Sequence, residues 1–124
     1  HRVLKKGARF CIADVHYKSA VAVFLDTVVD SYNSQGHEGL YLDNSTVEEL
    51  NRARLQVETS EVVDFHWLFA DTTEMVDFCR NLFGLDKINP EKFLQETIDT
   101  LGIQTVNKGI GLNWQLNYIC GYAC

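Results

Sequence analysis

The sequence predicts an α/β domain, and three observations carry that prediction. Apolar residues switch along the chain between a period of two and a period near 3.6. Helix-start residues of the Ser, Asp and Asn type precede the helical stretches, and glycines close several of them. The length, 124 residues, is that of one domain, 1–124. Such a chain buries roughly two thirds of the surface it exposes when unfolded, enough for one modest core.

The opening Arg2-Val3-Leu4-Lys5-Lys6-Gly7 reads as the last turn of a helix, with basic residues at its negative end and Gly7 as a left-handed cap. Residues 9–15 follow as a nearly continuous apolar strand, the kind covered on both faces in a parallel sheet. Over 18–32, Val21, Phe24, Leu25, Val28 and Tyr32 recur at helical spacing. Asn33, Ser34, Gly36 and Gly39 then mark a loop. Ser45-Thr46-Val47-Glu48 is a capping box and predicts a helix to Val57. Alternation over 62–69 gives a strand, with Val63, Phe65, Trp67 and Phe69 on one face and Val62, Asp64, His66 and Leu68 on the other. Asp71 caps a helix carrying Met75, Phe78, Cys79, Leu82 and Phe83, which Gly84 ends. Asn89-Pro90 starts another, with Phe93, Leu94, Ile98 and Leu101 inward and Gly102 closing it. The last strand alternates from Ile110 to Cys120. Trp67 and Trp114 read as core aromatics.

Charge and cysteine usage exclude several functions. The formal charge is −6 and the eleven Lys and Arg are scattered, apart from Lys5-Lys6, so no nucleic-acid partner is expected. No apolar run approaches the ~20 residues that cross a bilayer, and no signal-peptide pattern is visible. Cys11, Cys79, Cys120 and Cys124 form no C-x-x-C, so no metal site is expected. They read as buried free thiols, with a Cys120–Cys124 bridge as the other reading, in a reducing, cytoplasmic compartment. The chain starts at His1 and its one methionine is Met75, which reads as a processed, cut or incompletely recorded N-terminus. No H-E-x-x-H, P-loop or Ser-His-Asp arrangement is present.

Asp14, His16 and Tyr17 end the first strand, where ligands collect in open α/β sheets. His16 can act there as a base; alternatively Asp14 caps the next turn and His16 is solvated. His37, on the loop Ser34-Gln35-Gly36-His37-Glu38-Gly39, lines a substrate pocket with Tyr41 or belongs to an ordinary surface loop. Asp64 and His66, ~7 Å apart along a strand, form a pair, help hold a metal, or sit on an exposed polar face. Asn113, Gln115 and Asn117 are unusual on a central strand. They bond one another, contact a partner, or face water where a covering layer is missing.

The run from Arg2 to Phe10, together with Cys11-Ile12-Ala13-Asp14, resembles class I S-adenosylmethionine-dependent methyltransferases. In that family a Leu-Lys-Pro-Gly-Gly type turn feeds the fifth strand; here Lys6 replaces the Pro and Ala8 the second Gly. Gly109 to Tyr118 resembles the family's last strand. The resemblance implies a partial Rossmann-like three-layer fold: a three-stranded mixed sheet in the family order 5-7-6, with about four to five helices. It implies the substrate-side, C-terminal portion of a small-molecule methyltransferase. The S-adenosylmethionine site would lie before His1, because no G-x-G-x-x-G stands in this sequence. The chain alone would then be inactive and without cofactor. His16 and His37 become the candidate catalytic residues, and Asp14, Tyr17 and Tyr41 the substrate contacts. Strand 9–15 would lack a neighbour, and an unpaired apolar edge invites association. A homodimer through that edge is expected. The alternative is a free-standing dimeric binding or interaction module, non-enzymatic, that takes a small-molecule ligand.

Overall fold

The computed structural model describes residues 2–124. Residues 2–7 form turns rather than a helix end. Gly7 takes φ +77°, and its N–H donates to the Ala123 carbonyl at 2.7 Å. That backbone is committed to the neighbouring C-terminal strand, which a helical turn would not permit.

Strand β1 is Arg9–Asp14. Helix α1 spans 20–32 and contains a π segment, Leu25–Val29. Buried Ser19 starts it, its hydroxyl accepting from the Ala22 N–H at 3.1 Å. Helix α2 is Thr46–Arg52, strand β2 Leu55–Phe69, helix α3 Thr72–Phe83 and helix α4 Pro90–Thr100. Strands β3, Ile103–Val106, and β4, Gly109–Ala123, complete the chain. The caps of α3 and α4 form as expected: Asp71 accepts from the Glu74 N–H and Asn89 from the Lys92 N–H, both at 2.8 Å. At Ser45 the expected box does not form. Asp43 accepts from both the backbone and the hydroxyl of Ser45, and those bonds hold its carboxyl below the usual carboxylate range.

The expected three-stranded mixed Rossmann-like sheet is corrected. The sheet has four strands, and every strand pairing in it is antiparallel. Two local events explain the difference. Asn107 adopts φ +52°, so Val106 and Gly109 pair across a tight turn and 103–106 becomes a hairpin strand. Arg54, at φ +63°, ends α2 well short of the expected Val57 and turns the chain into β2. That strand therefore begins at Leu55, with a bulge between Val57 and Thr59.

Strand β4 runs through the middle. β2 pairs along one side of it; β1 takes 117–122 and β3 takes 109–112 on the other. Cys11 and Cys120 stand directly opposite in the β1–β4 ladder and are disulfide-bonded, which corrects the free-thiol reading for both. Cys120 therefore does not bridge to Cys124, which is exposed. Cys79 is buried as expected, and burial pushes its thiol up to about 12.

Helices α1, α3 and α4 build the core against the sheet face that carries Leu112 and Trp114. Phe24, Met75, Phe93 and Leu112 are fully buried. Trp67 stacks on Trp114 at 4.2 Å between ring centres, and Phe83 lies parallel to both. Phe78, expected in the core, is 47% exposed and instead packs its ring at the sheet edge against Trp67 and Phe69. No helix among the described residues is long and apolar enough to cross a membrane.

Candidate functional site

The predicted site residues gather in the loop beyond β1, with one exception. Backbone bonds tie 15–17 to Leu42: Tyr17 N–H donates to the Leu42 carbonyl, and Leu42 N–H to that of Val15. This parallel bridge folds the 36–45 loop onto the end of the sheet. Tyr17 and Tyr41 thereby line one open depression, rimmed by Leu40, Asp43 and Asn44. His16 lies against Tyr17, with ring centres 4.9 Å apart. Its Nδ1 accepts from the Lys18 N–H at 3.3 Å, so in the neutral ring the proton is on Nε2. Asp14 is the exception. Its carboxylate accepts from the Val15 N–H at 2.7 Å and so caps its own turn.

His37 and Tyr41 stack nearly parallel, their ring centres 6.2 Å apart. Gly39 is what lets the rings meet: a Cβ there would lie 2.7 Å from His37 Cε1 and 3.2 Å from Tyr41 Cε1. The side chain backing both is Asp26, on α1, which sequence reasoning missed. Tyr41 donates its hydroxyl to Asp26 Oδ1 at 2.5 Å, and His37 Nδ1 faces the same oxygen at 3.7 Å. Burial first, and then the Asp26 bond and charge, push the Tyr41 phenol well above its ordinary range. His37 Nδ1 is buried and makes no hydrogen bond. A slight closure onto Asp26 would satisfy it.

A second concavity lies on the sheet. Residues 113–116 of β4 have neither β1 nor β3 beside them, and the start of α1 and the end of α4 flank the gap. The resulting notch has a volume of about 470 Å³. Val21, Leu101 and Trp114 supply its apolar part, and Asp64, His66, Gln104, Asn113 and Gln115 its polar part. The polar residues of β4 do not bond one another. Gln115 donates to Asp64 at 2.7 Å, Gln104 donates to Asn113 at 3.2 Å, and Asn117 accepts from Ser60 at 3.4 Å. Among the described residues no group of three or more His, Cys, Asp or Glu is placed to hold a metal, the Asp64–His66 pair included.

A Rossmann-type site for S-adenosylmethionine brings backbone to the ligand at a glycine turn between the end of a strand and the start of a helix, and the described residues hold no such turn. Gly7 precedes β1, Gly36 sits in a loop, and Gly84 and Gly102 follow helices. Comparison with known proteins gives no match to any family model, curated protein or solved structure.

Proposed function

We propose that this chain supplies the acceptor-binding side of a small-molecule methyltransferase of the class I type, and transfers no methyl group by itself. The observation that supports it is the Asp26–His37–Tyr41 arrangement beside the Tyr17–Tyr41 depression. Asp26 stands 3.7 Å behind Nδ1 without a hydrogen bond to it; closing that gap would fix the imidazole tautomer and stabilise the cation formed when Nε2 takes a proton. His37 is therefore the base for an acceptor hydroxyl, and Asp26 its positioning residue. His16, with Nδ1 occupied by the Lys18 N–H, is left as a donor to the acceptor, alongside Tyr17. Calorimetry with S-adenosylmethionine is expected to give no binding to this chain. Phenol, used as a probe acceptor, is expected to shift the NMR signals of His37 and Tyr41. Saturable S-adenosylmethionine binding, or phenol that leaves those signals unmoved, overturns the assignment.

A second reading, a dimeric non-enzymatic binding module, draws on a different observation. β1 has β4 on one side and no strand on the other among the described residues. Phe10 and Ile12 are half-buried on this edge strand. Two copies joined strand to strand about a two-fold axis would close the edge. Sedimentation at tens of micromolar is expected to give a dimer, and a monomer refutes it. The cytoplasmic expectation rests on free thiols; disulfides are uncommon in that compartment, so the Cys11–Cys120 bridge withdraws its support.

A further inference from the structure

Two backbone bonds settle which way each residue of β4 faces. Asn113 donates its N–H to the Gly102 carbonyl, on the β3 side, and Ala123 donates to the Ala8 carbonyl, on the β1 side. Bonding direction alternates along an antiparallel strand, so Leu112, Trp114 and Leu116 turn their backbone to β2. Their ladder partners Trp67, Phe65 and Val63 turn theirs to β4. The N–H and carbonyl groups of Val62, Asp64, His66 and Leu68 therefore point out of the sheet. Among the described residues no group bonds them, and no strand lies beyond β2.

Exposed apolar side chains collect along the same edge. Val62 is 51% and Leu68 65% exposed, and Val63 is exposed on the other face of the strand. Phe78 of α3 rests on Trp67 and Phe69 yet stays open to water, and Leu82, one turn on, is exposed as well. A long open edge with apolar flanks is a template for another strand.

We infer that β2 pairs with β2 of a second copy of this chain, antiparallel about a two-fold axis at Phe65, joining the two four-stranded sheets into one. The order of residues along the strand carries the choice of partner. With Phe65 opposite itself, Asp64 meets His66 of the second copy, and His66 meets its Asp64. Val62 meets Leu68 and Val63 meets Trp67 in the same way, so carboxylate faces imidazole and apolar faces apolar. Asp64 accepts from Gln115 through Oδ1 at 2.7 Å and keeps Oδ2 for the imidazole. The outward backbone groups of Val62, Asp64, His66 and Leu68 fall opposite one another in this register and can exchange hydrogen bonds. Moving the axis loses the match: at Asp64 it sets two carboxylates against each other, and at His66 it sets Asp64 against Leu68. A discrete dimer uses one edge of each sheet, because pairing through both gives an open chain of copies. This pairing and the one through β1 are therefore rivals, and it does not depend on the methyltransferase reading.

The test is sedimentation of the parent, Asp64→Lys and His66→Asp, with amide hydrogen exchange on the parent. Asp64 and His66 are exposed, so both changes keep the fold. The parent is expected to dimerise at tens of micromolar. Each variant is expected to raise the dissociation constant about tenfold, since its change acts twice across the axis. An equal mixture of the two is expected to return to within about threefold of the parent, because the introduced lysine of one faces the introduced aspartate of the other. Amides of Val62, Asp64, His66 and Leu68 are expected to gain protection as concentration rises. A monomeric parent, a dimer that neither variant weakens, or a mixture no tighter than its components overturns the inference. Protection that appears instead at Arg9, Cys11 and Ala13, on the outward side of β1, assigns the dimer to that edge and overturns it too.

Discussion

Replacing Phe24 by Ala is expected to remove about 3–5 kcal/mol of stability, the cost of truncating a fully enclosed aromatic. Phe24 has no exposed surface. Its ring centre lies 5.8 Å from Phe83, 6.2 Å from Phe93 and 6.3 Å from Trp114. It therefore joins α1 to α3, α4 and the central strand at one point. The residue also immediately precedes the π segment of α1, whose wider turn spreads Leu25, Val28 and Val29 across the buried side. Collapse of the helix into the cavity would disturb that spacing, so little relaxation is available. A domain is stable by only about 5–15 kcal/mol in all, and the loss is a large share of that. Urea unfolding is expected to show a much lower midpoint with an unchanged slope. A loss below about 1 kcal/mol would mean that α1 does not anchor the core as described, because fully buried aromatics cost more than this. Phe24→Leu is expected to recover more than half of the loss.

The residues that made α1, α3 and α4 legible are those with a repeating reason to be there: Val21, Phe24, Leu25 and Val28 at helical spacing, and the caps Asp71 and Asn89. Alternation likewise exposed 62–69 and 110–120. The first half of β2 was not legible, because Glu58-Thr59-Ser60-Glu61 carries no apolar face. Its backbone is held instead by its ladder to β4. β3 escaped for a similar reason, since four residues are too few to show a period. The site divides the same way. His37 and Tyr41 stood out on a glycine-flanked loop, whereas Asp26 lies on the solvated side of a helix and nothing local announces that the loop folds back to it. The notch depends on a gap between β1 and β3, so it was invisible without β3. Only its residue types showed: amides on a strand that would ordinarily be apolar.

Gly121→Ala is expected to destabilise the sheet, although strand glycines are usually weak points that Ala improves. A methyl group here would overlap the Gln56 carbonyl oxygen and lie 2.9 Å from its carbon and 3.0 Å from Phe10 Cε1. The first obstacle is backbone, which cannot rotate away. Gly121 pairs with Phe10 of β1 and Val57 of β2, so β4 is held on both sides at this residue. The bulge between Val57 and Thr59 lies next to it. Relief requires β2 to separate from β4 beside the bulge, at a cost of about 1–3 kcal/mol, the range for overpacking a site that cannot yield. Hydrogen exchange locates the damage: amides of 55–60 and 9–12 are expected to lose protection, while those of α3 and α4 keep theirs. A G121A protein as stable as the parent would mean that the two strands do not approach so closely there. The register of β2 from Leu55 to Val57 would then have to be redrawn, whereas the ladder from Thr59 onward, beyond the bulge, would be unaffected.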